Sequence, residues 1–443
     1  MAVIHEVIQT GVGYSIQPNL RADSTLGREN LPRARDRENY DAVVSLDFAE
    51  NLRSLAEVIV RVGLNLQPGQ RLLIAEPYEL QGVSRHAAAL VEAVGCSARQ
   101  AGAPAIEVIW GDEAQLRQFA ERGDRRGFEQ KVASNARQMS ASMVRGDALL
   151  FLESSHAGLM AGVPVSEVDA LRTLAWIHFG PVAQQLVRGS TNWTVACAPT
   201  PAWADTVYAD LSVGKRLPQL WVDVFAACRV GEPDPPAAWR DRLAALLRRC
   251  DELNARRQPT LRFQGTGTDL RLALPKEHVW CTAELRNRAG RPFLANLPTE
   301  EIFTLPHKDS AEGTVRVARP VVHGGVVIDG IELEFRRGRV VKAKARTGDW
   351  TLHRLLETDE GSSRLGEVAL VPQATAIART GRFFHHPLLD ENALPHVALG
   401  DAYPFTHRGG LALSADKLDS AGFNRSLIHV DLPLDTHDAV WSA

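Results

Sequence analysis

The alternation of apolar and polar positions changes character twice along the chain. Up to about residue 45 no period is sustained: Arg21, Arg28, Arg33, Arg35 and Arg37 are scattered among Asp, Glu, Asn and Pro, with few apolar residues after the first dozen. Residues 1–45 therefore read as a flexible or partner-dependent arm. From Leu52 the spacing becomes helical and stops near Gly63, and the turn Pro68-Gly69 leads into the apolar run Leu72 to Ala75, which fits a buried strand. Three more short runs follow, Ile106 to Trp110, Ala148 to Leu152 and Trp193 to Cys197, separated by stretches long and periodic enough for helices. Strands alternating with helices require crossover connections, and so predict a mostly parallel sheet. A Pro-rich approach, Pro233 to Pro236, then opens an amphipathic helix from Trp239 to Arg257 that closes an α/β domain over residues 46–258.

Beyond Pro259 the texture turns short and β-like. Leu261 to Gln264, the turn Gly265-Thr266-Gly267, Leu270 to Leu274, Val326 to Arg336 and Gly338 to Val341 read as hairpins of a mixed or antiparallel sheet. The expected fold class is α/β, with an N-terminal mostly parallel α/β domain followed by a β-rich mixed domain, residues 259–443, carrying the chemistry. Trp193, Trp203, Trp221 and Trp239 are expected in the core of the first domain.

Composition narrows the partners. With 443 residues and 45% hydrophobic content the chain can bury two sizeable cores. Fifty basic against 53 acidic side chains, a net charge of -3, give no long-range field to draw in nucleic acid or an anionic membrane. No apolar run has the length of a signal peptide or a membrane span, so a cytoplasmic protein is expected. Five cysteines, Cys96, Cys197, Cys228, Cys250 and Cys281, never form a Cys-x-x-Cys pair. They suggest neither a disulfide framework nor a thiolate metal site, and read as small buried hydrophobes.

Four clusters could carry chemistry. Alternation along Leu427 to Leu432 places His429 and Asp431 on one face of a strand, aiming an imidazole and a carboxylate at one spot as a first-row metal requires. A surface His-Asp pair is the plainer reading of that dipeptide. Asp390 to Tyr403 joins an acidic turn containing Glu391 to His396 and Tyr403, and Asp390 and Asn392 alone could be caps. Glu367 sits in the strand-like run Leu365 to Leu370, and Glu300 and Glu301 are neighbours of which only one can face inward.

Taken in order, Asn-Leu-Pro-Thr-Glu-Glu-Ile-Phe-Thr at 296–304, Leu-Gly-Glu at 365–367, Asp-Glu-Asn-Ala-x-x-His-x-Ala-x-Gly-x-x-Tyr at 390–403 and Asn-x-Ser-x-x-His-x-Asp at 424–431 resemble the motifs of the thermophilic-type metallo-aminopeptidases, the aminopeptidase T and aminopeptidase S family, leucyl aminopeptidase-like in activity. The similarity extends upstream through Trp203, Trp239 and Gly267 to Leu270, covering roughly residues 50–443. The resemblance implies two divalent metal ions (Zn, Co, Mn or Mg) held by Glu301, Glu367, His396, His429 and Asp431, with Glu391 as a sixth ligand and Tyr403 as the active-site tyrosine. It further implies a homodimeric hydrolase that cleaves the N-terminal peptide bond of short peptides through a dinuclear metal-bound hydroxide. Three or four carboxylates nearly balance two dications, leaving Lewis acidity for water and carbonyl.

Glu300 is expected as general base or as the group that recognises the substrate amine, a solvent-facing acid being its plain alternative. His385 and His386 are adjacent, so they are expected to line a pocket or the surface rather than share a cation. The tail Leu-Pro-Leu-Asp-Thr-His after Asp431 departs from the family pattern close to the ligands. Two other functions compete. His396, His429 and Asp431 also form a two-His-one-carboxylate set, as in a mononuclear Fe(II) ring-opening dioxygenase of the dihydroxypyridine type, and the substrate could be a small non-peptide amide. A catalytically silent binding protein is the third reading.

Overall fold

The computed structural model describes residues 48–77, 82–154, 159–160, 162–323, 326–372 and 374–440. The arm expected over residues 1–45 lies outside them. The first helical segment runs from residue 48 and ends in a single wider turn, Ile59–Gly63. Gly63 is needed there, because a Cβ would press on Thr194 and Leu297.

The first strands are β1 (Leu72–Ala75), β2 (Ile106–Val108), β3 (Ala148–Glu153) and β4 (Trp193–Cys197). After the long helix Pro235–Arg256 come β5 (Thr260–Gly265), β6 (Thr268–Ala273), β7 (Glu284–Arg286), β8 (Pro292–Leu294), β9 (Asn296–Leu297) and β10 (Ile302–Thr304). Then follow β11 (Glu312–Arg316), β12 (Val321–His323), β13 (Val326–Ile328), β14 (Glu332–Arg336) and β15 (Arg339–Lys344). The last are β16 (Leu365–Leu370), β17 (His396–Gly400), β18 (His429–Pro433) and β19 (Thr436–Val440).

The expected parallel sheet is present in the order β2-β1-β3-β4-β9. Its fifth strand comes from beyond residue 259: Asn296 pairs with Val195 and Leu297 with Ala196, in parallel. An antiparallel sheet of order β15-β14-β11-β6-β5-β19 and a four-stranded sheet of order β10-β16-β17-β18 make up most of the rest, with two short hairpins. The departing tail is built in, since β19 pairs with β5.

Local signals account for most boundaries. Asp112, Asp124 and Asp234 cap helix N-termini through their side chains, and Gly123 and Gly146 end helices in the left-handed region. The helix expected from Trp239 begins earlier, at Pro235, because Pro235 and Pro236 occupy first-turn positions whose N–H groups have no intrahelical partner anyway. Trp193, Trp203, Trp221 and Trp239 are all buried as expected. The cysteines are not uniform: Cys197, Cys228 and Cys250 are buried, Cys281 is half-buried, and Cys96 is exposed on the outer face of a helix.

The four-stranded sheet separates two cores. One face, carrying Ile302, Val368, Val397, Leu399, Val430 and Leu432, packs with the antiparallel sheet. Phe303 and Ala369 on its other face join the core of the parallel sheet. Among the described residues no helix is long and apolar enough to cross a membrane.

Candidate metal centre

Strand register brings the polar residues of β16, β17 and β18 to that second face. Glu367 pairs with Ala398, Ala398 pairs with Asp431, and Ala369 pairs with His396. Opposed residues share a face, so Glu367 and Asp431 flank the small Ala398 while His396 and His429 complete the patch. Plain alternation would put Glu367 on the same side as Leu365, in the apolar core. A bulge between Leu365 and Glu367 reverses that parity. It depends on Gly366, where a Cβ would strike the carbonyl oxygens of Gly400 and Asp401. Glu301 precedes β10 by one residue and lies on the side of Phe303, which pairs with Ala369.

These donors form two triads sharing one residue. Glu301, Glu367 and His396 offer ligand atoms within 4.8 Å of one another, and so do Glu367, His429 and Asp431. His396 Nε2 lies 3.3 Å from Glu301 and 3.6 Å from Glu367, and His429 Nε2 lies 3.6 Å from Glu367 and 3.5 Å from Asp431. Both imidazoles are oriented from behind. His429 Nδ1 sits 2.9 Å from the Asp401 carbonyl and His396 Nδ1 3.2 Å from that of Leu394, which keeps the proton on Nδ1 and turns the Nε2 lone pair to the patch. Asn424 braces this corner by donating to the Gly361 and Gly400 carbonyls.

The electrostatics of this patch suit a cation. Burial first, then the charges of Glu367 and Asp431, push the Glu301 carboxyl up to about 7. Burial and Asp431 raise Glu367 as well. Burial works against a charged His396, yet Asp431, Glu367 and Glu301 outweigh it and raise the imidazole to about 10. Glu367 Oε2 is buried and accepts no hydrogen bond from the described residues. Crowded buried carboxylates with an unmet acceptor are costly alone and are satisfied by a bound cation. Oxygen and imidazole donors without thiolate suit a divalent ion of Mg, Mn, Co or Zn type. The residues therefore fit the divalent metal that the motifs imply.

Glu391 lies beside the triads rather than in them. It accepts a hydrogen bond from Asn296 at 3.1 Å, and burial, then the charge of Glu301, raises it to about 7. The Tyr403 ring stacks on Phe405 at 5.2 Å and leans on the His429 ring at 5.1 Å. Burial and four neighbouring carboxylates push its phenol well above the usual value, so the hydroxyl stays a donor.

Glu300 is held by two arginines. Arg229 Nη2 reaches one carboxylate oxygen at 2.6 Å and Arg242 Nε the other at 2.5 Å, at the edge of a separate cavity lined by Thr375 and Arg379. Two guanidinium groups thus hold the Glu300 carboxylate beside the turn that carries Glu301. The Glu300 amide N–H donates to Asn392 Oδ1, closing the same turn from the other side. Asp390 is not an N-terminal cap. It ends the short helix Pro387–Asp390 and accepts from the backbone N–H groups of Phe384 and His386.

His385 and His386 both line a cavity of ≈ 70 Å³, together with Val321, Phe383, Glu391, His429, Asp431 and Pro433. Pro433 belongs to the departing tail, which thus shapes this cavity. Sequence reasoning did not single out Glu153, Arg229 or Arg242; only contacts made across the fold mark them.

A family model described as thermophilic metalloprotease (M29) matches residues 48–442. The chain belongs to this family and is a hydrolase of the metallo-aminopeptidase class. It is similar to Aminopeptidase T of Thermus thermophilus, 37% identical over 384 residues covering 87% of this chain and 92% of that protein. Aminopeptidase AmpS of Bacillus subtilis is 35% identical, covering 88% and 94%. The solved structure of wild-type AmpT from Thermus thermophilus superimposes with a TM-score of 0.81 at 35% identity, over 88% of this chain and 94% of that one.

Proposed function

We propose that the chain removes the N-terminal residue of short peptides at a site holding two divalent metal ions, one in each triad, with Glu367 between them. The carrying observation is the sharing of Glu367 by two complete three-donor sets. A mononuclear two-His-one-carboxylate site would need neither Glu301 nor Glu367. Bound there, the metal pair would activate water to a hydroxide nucleophile near neutral pH and polarise the scissile carbonyl.

The protein's own groups supply the rest. Tyr403, held neutral beside His429, donates to the oxygen that gains charge during attack. Glu391, the sixth ligand in the sequence reading, borders the cavity with a raised pKa and is suited to hold or hand on a proton at neutral pH. The cavity beside the triads has a largely apolar wall, with Glu391, His429 and Asp431 in its lining, which suits an apolar amino-terminal residue.

The test is metal counting with kinetics on single variants. Glu301→Gln should retain about one ion per chain and Glu367→Gln about none, each cutting chelator-sensitive hydrolysis of leucine p-nitroanilide by at least about a hundredfold. Full activity in either variant, or one iron with oxygen uptake in the unaltered protein, overturns the assignment.

A further inference from the structure

His386 is 2% exposed, and among the described residues neither of its ring nitrogens makes a hydrogen bond. A buried imidazole left in that state is costly unless a ligand completes it. Its position is nevertheless fixed. The ring packs on Trp203 with centroids 4.6 Å apart, Trp203 Nε1 donates to the Phe384 carbonyl at 2.7 Å, and the His386 N–H donates to Asp390 Oδ2 at 3.0 Å. Burial lowers its pKa to about 3, so it is neutral, with one N–H and one lone pair.

Behind the ring stands Glu153, the last residue of β3, with Oε2 3.3 Å from His386 Nε2. That places the pair at the carboxyl edge of the parallel sheet, where open α/β sheets gather their ligands. A proton on Nε2 faces the carboxylate and leaves Nδ1 as an acceptor. The ring lines the cavity shared with Glu391, His429 and Asp431, where the described lining residues include no lysine or arginine. His386 lines this cavity, and an imidazole lone pair with a carboxylate beside the ring suits a positively charged donor.

We propose that His386, backed by Glu153, accepts a hydrogen bond from the free α-ammonium group of the substrate and so measures the distance from the amino terminus to the scissile bond. The proposal rests on the metallo-aminopeptidase reading and names the residue that would enforce its end-specificity. A lysine side chain carries the same chemistry, and the test separates the two.

Inhibition constants would be measured for leucine hydroxamate, its desamino counterpart 4-methylpentanohydroxamate, and lysine hydroxamate on the metal-loaded protein. The variants are His386→Phe, which keeps the stacking but lacks the acceptor, His386→Asn, which restores one, and Glu153→Gln. The unaltered protein should prefer leucine hydroxamate over the desamino compound by about tenfold or more. His386→Phe should remove most of that preference by weakening only the amine-bearing inhibitor, with metal content unchanged, and His386→Asn should recover part of it. Glu153→Gln should lower it by severalfold. An unchanged ratio in His386→Phe, or equal weakening of both inhibitors, overturns the proposal. A loss confined to lysine hydroxamate also overturns it, assigning the pair to a basic side chain. Absence of any hydroxamate inhibition in the unaltered protein would instead be the failure of the metal reading. If His386→Phe does not fold, the Glu153→Gln ratio decides alone.

Discussion

Replacing Glu300 by Gln separates a structural clamp from a catalytic base. The variant keeps the shape of the side chain and removes the charge that Arg229 and Arg242 share, turning one contact into a meeting of two donors. Hydrogen bonds to charged partners contribute about 1.5–3 kcal/mol each. The Glu300 side chain is 7% exposed but the arginines are 29% and 22% exposed, so water at the cavity edge compensates part of the loss. A net destabilisation of about 2–3 kcal/mol follows, less than the 3–5 kcal/mol of a fully buried broken pair. At about 2–4 °C per kcal/mol for a sizeable domain, Tm should fall by roughly 4–12 °C. Calorimetry of the metal-loaded protein, run beside kcat and metal content, provides the reading. With Glu300 as a clamp, kcat stays within about fivefold once metal is saturating. A general base would behave oppositely, costing about 10²–10⁴ in kcat at nearly constant Tm. That second pattern would refute the clamp.

Two further outcomes follow from the same geometry. In the metal-free protein Glu301 is raised to about 7 and His396 to about 10, so both hold protons that a cation must displace. Metal affinity should therefore fall as pH drops through 7, by up to about tenfold per unit for each displaced proton, in chelator-competition titrations at pH 6, 7 and 8; a flat profile contradicts the assignment. Gly400→Ala should lose metal and activity together, because Gly400 has φ +107 and an added Cβ would strike the Ile428 carbonyl where β17 meets His429. Intact loading in that variant would show that the strands can separate without cost.

The site was legible in part, and its illegible portions share a cause. Leu72 to Ala75, Ala148 to Leu152 and Trp193 to Cys197 announced themselves because a strand buried on both faces is an unbroken apolar run. His429 and Asp431 needed only the two-residue period. Glu367 could be named from its motif but not oriented from alternation, since the bulge at Gly366 reverses parity and depends on carbonyls from β17. Which of Glu300 and Glu301 turns inward was equally undecidable locally; the pairing of Phe303 with Ala369 and the pull of Arg229 and Arg242 settle it. Glu153 and His386 are far apart in the chain, and no pattern in either neighbourhood joins them. The short strand β9 has too few residues to show any period.

That short strand makes the halves of the chain inseparable. Until Asn296 and Leu297 have been synthesised, β4 keeps a bare edge of unpaired backbone groups. Only a few residues after they dock, the chain delivers Glu301 to the opposite sheet. Cutting near residue 259 would therefore yield an amino-terminal fragment with an open, pairing-prone edge and a carboxy-terminal fragment in which Glu301 has lost its tether. For anyone recombining relatives of this enzyme, the usable junctions lie outside the stretch from β4 through β10, which has to travel as one piece.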